Sequence, residues 1–275
     1  MDEEKIIPIW PDELKAYITR HQERDFLLVD VRQPPEYEKE HIPGAQLIPL
    51  GIILEGRSSL PRDKELVFYC SHGMRSRAAL EVCAGTGEFT KQLYTLTGGM
   101  SAWEEGVVSD FPKVAVFEGA HRDADWGMVS MNLEKGAFLF YDYLIKKCAE
   151  TSFVKELEEI CAMETAHARL IYNLFPRNEG STEMFQDVFG ALPGDIVEGG
   201  QPLEKVCRGL ERMPGAFLAN ALDMALRIEY AAYDLYRTLA NESGENPQIQ
   251  QALLTLSQAE KKHAYQVARL FENVF

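Results

Sequence analysis

Leu66-Val67-Phe68-Tyr69-Cys70-Ser71-His72-Gly73-Met74-Arg75-Ser76 reads as an apolar strand, a tight loop and the opening of a helix, and it decides the class of the first half of the chain. Four consecutive apolar residues that end in a turn suit a strand buried on both faces, as in a parallel sheet. Phe26-Leu27-Leu28-Val29 has the same character, while Pro11 to Thr19 and Ser76 to Ala84 read as helices. Alternating strands and helices predict an α/β layout with a central parallel sheet. The chemistry concentrates in the loop. Its backbone N–H groups would face inward as an anion nest, and the following helix adds its positive end, so a thiolate at Cys70 would be stabilised. Gly73 gives the turn backbone freedom, and Arg75 sets a guanidinium where it can pair with an anionic substrate.

A chain of 275 residues exceeds what one core usually organises, which predicts two domains. From Met128 onward strand signals vanish, and amphipathic segments at about 128–149, 152–174, 216–241 and 246–273 predict an all-α four-helix bundle. The expected boundaries are 1–107 for the α/β domain, 108–126 for a linker and 127–275 for the bundle. The Gly- and Pro-bearing stretch from Phe175 to Pro214 is expected to cross between the second and third helices, with one short helix near Leu203 to Arg212.

Several functional classes are excluded by composition. The net charge is -15 and neither half carries a Lys/Arg stripe, so neither nucleic acid nor an anionic membrane surface is an expected partner. No apolar run approaches the roughly 20 residues that span a bilayer, and no apolar leader follows Met1, so a cytoplasmic location is expected. Five cysteines, an odd number without a CxxC pair, argue against a disulfide framework or a thiolate metal knot. Cys83, Cys148, Cys161 and Cys207 each sit among apolar residues at helical positions and read as inert thiols.

The surroundings of the loop form an ordered series: Val29-Asp30-Val31-Arg32 with Glu36, then His41-Ile42-Pro43-Gly44-Ala45, then Cys70 to Ser76, then Gly98-Gly99-Met100-Ser101-Ala102-Trp103. In this series the first domain resembles the rhodanese family. The resemblance implies a sulfurtransferase in which Cys70 and Arg75 are catalytic and Ser71, His72, Gly73, Met74 and Ser76 form the substrate loop. Cys70 would carry a persulfide between a thiosulfate or persulfide donor and a thiol or cyanide acceptor. Asp30, Arg32 and His41 are assigned to structure around the site. Phosphatases of the same superfold use Cys-x5-Arg, whereas four residues separate Cys70 from Arg75, a shorter loop that suits sulfur rather than phosphate.

The second domain holds an internal repeat. Glu134-x-x-Ala137-x-x-x-Tyr141 matches Glu229-x-x-Ala232-x-x-x-Tyr236, and each copy is followed by Glu-x-x-His, at Glu164/His167 and Glu260/His263. Residues three apart on a helix project from one face. Glu134 aligns with Ala137, Phe138, Tyr141 and Ile145, and Glu229 with Leu226, Ala232, Tyr233 and Tyr236, so both carboxylates should point into the core. Buried carboxylates are costly unless paired or metal-bound, and imidazole with carboxylate suits iron or manganese. Glu150, Glu156, Glu158 and Glu159 read as a solvated face.

This ordered set resembles the ferritin-like di-iron proteins, rubrerythrin and bacterioferritin. The resemblance implies Glu134, Glu164, His167, Glu229, Glu260 and His263 as ligands of two iron ions, manganese or zinc being alternatives. Glu164 and Glu260 would bridge, and Tyr141 and Tyr236 would support them. A rubredoxin-like four-cysteine centre is missing, so an external electron donor is implied, and Ala232 stands where rubrerythrin has a further carboxylate. Peroxide reduction and iron oxidation are equally compatible, and fusion to a rhodanese suggests that sulfur handling is coupled to peroxide or oxygen defence. The alternative is a non-enzymatic iron-binding or sensor protein, with the rhodanese domain as persulfide carrier or docking unit. A homodimer is expected from the resemblance.

Overall fold

In the computed structural model, which describes residues 6–120, 123–149, 153–175, 183–243 and 246–274, the chain divides into two units, Met1–Phe111 and Pro112–Phe275. The first unit is built on strands β1 (Ile6–Ile9), β2 (Phe26–Asp30), β3 (Gln46–Leu47), β4 (Glu65–Tyr69) and β5 (Leu93–Leu96). All pair in parallel, in the order β1-β5-β4-β2-β3, with Asp30 opposite Tyr69 and Phe68 opposite Thr95. Helices α1 (Pro11–Arg20), α2 (Pro34–Lys39), α3 (Leu50–Leu54) and α4 (Met74–Thr86) complete the unit.

The apolar runs follow from a sheet covered on both sides. Leu66, Phe68 and Cys70 join one buried cluster with Ala79, Leu80 and Cys83 of α4. Val67 and Tyr69, pointing the other way, join a second cluster with Leu14, Tyr17 and Ile18 of α1. Strand β4 is therefore central, and its C-terminal end delivers Cys70 to the start of α4. This is the expected α/β architecture with a central parallel sheet, which has five strands.

The second unit comprises α5 (Asp123–Lys147), α6 (Val154–Leu174), α7 (Phe185–Ala191), a two-stranded hairpin of β6 (Ile196–Val197) and β7 (Gln201–Pro202), α8 (Leu203–Arg212), α9 (Phe217–Glu242) and α10 (Pro247–Val274). The long helices α5, α6, α9 and α10 form the expected bundle. Its core has two apolar clusters, one around Leu133, Ile171, Leu239 and Leu256 and the other around Tyr141, Ile160, Leu222 and Val267. Along each long helix the repeat carboxylates fall between the residues of these clusters. Helix α5 starts at Asp123, within the segment expected as linker. Trp126 ties that start down by stacking on Phe117 at 4.7 Å and donating to the Ala120 carbonyl at 3.1 Å. At the other end of the same segment, Val108 exchanges backbone hydrogen bonds with His41. No helix among the described residues is long and apolar enough to cross a membrane.

Candidate functional site

In the first unit, the loop between β4 and α4 places Cys70 at the strand end, buried, with the Gly73 N–H donating to its Sγ at 3.1 Å. Gly73 has φ 95°, a left-handed turn that lets the chain fold back over the sulfur before α4 begins. Burial raises the thiol, but the N–H groups of Ser76, His72 and Gly73 and the Ser76 hydroxyl outweigh it and hold Cys70 below the ordinary cysteine range. The opposite holds at the other thiols: burial pushes Cys83 up to about 11 and Cys161 up to about 12, and also raises Cys148 and Cys207.

The loop is fixed from two sides. The Met100 N–H donates to the Cys70 carbonyl at 2.8 Å, and the Ser101 N–H and hydroxyl donate to Ser71. A Cβ on Gly99 would come within 2.2 Å of the Cys70 carbonyl oxygen, so only glycine fits there. On the other side Arg75 makes a two-pronged ion pair with Glu36 at 2.7 and 2.6 Å and also donates to Ser71 Oγ. Bonding to Arg75 holds Glu36 down at about 2. The Arg75 charge is thus met by Glu36, and the group braces the loop as well as facing Cys70. His72 and Met74 project to solvent, and Ser76 bonds Gly73 and Thr95. Asp30 and Arg32 form a buried pair, and Arg32 also donates to the Glu40 carbonyl. His41 is buried, stacked on Tyr37 at 3.6 Å. All three lie in the scaffold behind the loop.

In the second unit the six residues of the repeat converge. Nδ1 of His167 lies 3.3 Å from Glu134, 2.9 Å from Glu260 Oε1 and 3.8 Å from Glu164 Oε2. Nδ1 of His263 lies 3.3 Å from Glu229, Glu260 Oε2 and Glu164 Oε1. Glu164 and Glu260 each turn one oxygen toward either imidazole, while Glu134 and Glu229 serve one side each. Tyr141 donates to Glu229, and Tyr236 donates to Glu134 at 2.6 Å. Of the residues expected on a solvated face, Glu158 and Glu159 are exposed and Glu156 is half-buried. Glu150 lies outside the described residues.

The cluster is buried and electrostatically incomplete. Burial and neighbouring carboxylates push Glu164 and Glu229 up, against the pull of His263. Against burial, His167 and His263 hold Glu260 low. Burial would lower both imidazoles, yet Glu260 and Glu134 push His167 up to about 11, and Glu164, Glu229 and Glu260 raise His263 well above its usual range. Both oxygens of Glu164 and Glu260, one each of Glu134 and Glu229, and both His Nδ1 atoms have no hydrogen-bond partner. Buried polar atoms left without a partner in this way are rare unless something else satisfies them. Ligand atoms of Glu164, His167, Glu260 and His263 lie within 4.8 Å of one another, which fits a cation held by oxygen and imidazole nitrogen.

Sequence reasoning missed Glu198. It lies on the β6–β7 turn, 1% exposed, with an oxygen within 4.8 Å of oxygens of Glu134 and Glu260. No helical or strand period marks it; its only signal is a carboxylate set before Gly199-Gly200.

Comparison with known families finds a rhodanese-like domain over residues 11–106 and rubrerythrin over residues 220–275. The second match spans most of α9 and all of α10, and so includes Glu229, Glu260 and His263. The probable adenylyltransferase/sulfurtransferase MoeZ of Mycobacterium tuberculosis is 39% identical over 104 residues, 37% of this chain and 26% of MoeZ. The putative sulfurtransferase YtwF of Bacillus subtilis is 39% identical over 82 residues, 30% of this chain and 77% of YtwF. Thiosulfate sulfurtransferase GlpE of Coxiella burnetii is 30% identical over 83 residues, 30% of this chain and 76% of GlpE. The chain therefore spans about a quarter of MoeZ and about three quarters of the other two.

Proposed function

We propose, for a chain that belongs to the rhodanese-like family through its first unit and carries a rubrerythrin domain in its second, that Cys70 accepts a sulfane sulfur and passes it on as a persulfide. With thiosulfate as donor, the Cys70 thiolate attacks the outer sulfur, the S–S bond of the donor breaks, and sulfite leaves with the electron pair. Cyanide or a thiolate then takes the terminal sulfur, releasing thiocyanate or a new persulfide and restoring the Cys70 thiolate. The observation that carries this reading is the ring of N–H groups around Sγ, which favours the thiolate and the anionic persulfide alike. Arg75, braced by Glu36, keeps the loop in place while those N–H groups hold negative charge. Steady turnover of thiosulfate with cyanide, abolished in Cys70→Ser, is the test; turnover that survives the substitution would end this assignment.

The second unit is assigned as a di-iron domain. Glu134 and His167 would hold one ion, Glu229 and His263 the other, and Glu164 and Glu260 both, a role supported by their divided oxygens. Iron bound there would supply one-electron chemistry at each ion, as peroxide reduction or iron oxidation requires. Tyr141 and Tyr236 orient the two outer carboxylates through their hydroxyl groups. Electrons would come from an outside donor. Plasma mass spectrometry of the purified protein should find about two iron atoms per chain, lost in Glu164→Ala/Glu260→Ala. Coupling of sulfur transfer to peroxide defence predicts that Cys70→Ser lowers peroxidase activity in the full chain; undiminished activity would count against it.

A further inference from the structure

We infer that Glu198 is a further ligand of the dinuclear centre, giving the Glu134/His167 position one carboxylate that the Glu229/His263 position lacks. The inference rests on the di-iron assignment and deepens it. Its first support is position: oxygens of Glu134, Glu198 and Glu260 come within 4.8 Å of one another. Its second is an unmet need. Glu198 is 1% exposed, and its Oε2 has no hydrogen-bond partner. An unpaired carboxylate oxygen buried beside two others is a costly arrangement unless a cation joins them.

The surrounding chain is shaped to put it there. Gly199 and Gly200 take φ of 85° and 74°, turning the hairpin sharply just after Glu198. Helix α5 admits the hairpin at Gly136, where a Cβ would stand 2.0 Å from the Ile196 carbonyl oxygen. Tyr236 bonds Glu134 and also reaches Glu198 Oε1 at 3.2 Å, so one hydroxyl orients both carboxylates. The symmetry-related Tyr141 bonds Glu229, and among the described residues no second carboxylate joins it there. The helical repeat makes the two positions alike, and the hairpin makes them different.

Charge gives the difference a consequence. Five carboxylates against two divalent ions leave one negative charge in excess, whereas four would balance them. The extra carboxylate therefore tightens binding at its own position and favours the oxidised, more highly charged pair.

Anaerobic calorimetric titration of the metal-free full chain with Co(II), and separately with Fe(II), tests this. Wild type should take up two ions. Glu198→Gln keeps the shape and an acceptor for Tyr236 but removes the charge, so a merely structural role would leave binding unmoved. The expected result is one binding step weakened roughly tenfold or more with the other retained, and a midpoint potential of the iron-loaded variant shifted to more positive values. Two steps matching wild type, with an unchanged potential, would overturn the inference while leaving the di-iron assignment intact. Fewer than two ions in wild type, or undiminished uptake by Glu164→Ala/Glu260→Ala, would overturn the assignment and this inference with it. Glu198→Asp provides the check should the Gln variant fail to fold: a changed Co(II) absorption spectrum supports ligation, and an identical one refutes it.

Discussion

The Tyr236 hydroxyl lies 2.6 Å from Oε1 of Glu134, joining α9 to α5 inside the bundle, and the same hydroxyl reaches Glu198. Tyr141 makes the equivalent bond to Glu229 alone. Hydrogen bonds to charged groups contribute about 1.5–3 kcal/mol, and losing a partner that orients a metal ligand costs about 10- to 100-fold in affinity. Tyr236→Phe should therefore weaken metal binding more than Tyr141→Phe, because it frees two carboxylates rather than one. Parallel metal titrations check this ranking, and equal losses would show that Glu198 gains nothing from Tyr236.

The thiols should separate by reactivity. Cys70 is held below the ordinary range, while burial pushes Cys83 up to about 11 and Cys161 up to about 12. Only the thiolate is nucleophilic. Iodoacetamide at pH 7 should modify Cys70 before these two, with a rate that climbs with pH to a plateau reached at lower pH than for an ordinary cysteine. Peptide mass spectrometry after timed quenching reads the order; Cys83 or Cys161 reacting first would contradict it.

What the sequence displays is what repeats or alternates. The strands flanking the Cys70 loop announce themselves because both faces of the sheet are buried, which makes Leu66 to Tyr69 uniformly apolar. The six residues proposed to hold metal are legible because a helical period ties each Glu to an apolar stripe and the motif occurs twice. Two features lie outside such periods. Arg75 reads as a cation free for substrate, but Glu36, 39 residues away, meets it across the fold. Glu198 belongs to a hairpin of two-residue strands, too short for any pattern, and only the close approach at Gly136 brings it to the other carboxylates.

Metal uptake should release protons. Glu260 and Glu134 push His167 up to about 11, and Glu164, Glu229 and Glu260 raise His263 well above its usual value, so both favour the imidazolium form in the metal-free chain. Neutral imidazole is the ligand, so binding must expel roughly two protons or more per chain. Calorimetry in buffers of different ionisation enthalpy should show heats that scale with the buffer, and apparent affinity should rise with pH. The sign for metal-free stability is opposite. A raised folded-state pKa gives stabilisation that is complete below the unfolded imidazole value near 6.5 and is lost as pH climbs toward 11. A thermal midpoint that stayed level from pH 6.5 to 11, or heats independent of buffer, would rule out charged imidazoles in the cluster.

Gly136 offers the sharpest separation of packing from propensity. Replacing an interior helical glycine with alanine ordinarily gains about 1 kcal/mol. Gly209 in α8 has nothing within 4 Å of its would-be Cβ, so Gly209→Ala should show that gain. At Gly136 the same methyl meets the Ile196 carbonyl oxygen at 2.0 Å, a backbone atom that cannot rotate aside. Overpacking costs about 1–3 kcal/mol, and a clash this close with a backbone atom falls toward the upper end, which outweighs the propensity gain and makes the hairpin lift away from α5. Gly136→Ala should therefore lower the thermal midpoint while Gly209→Ala raises it. Because Glu198 rides on the displaced hairpin, Gly136→Ala should also weaken the same metal-binding step as Glu198→Gln, although it alters no ligand. A Gly136→Ala protein with unimpaired stability and two unaltered binding steps would mean that the hairpin is not held against α5 in solution.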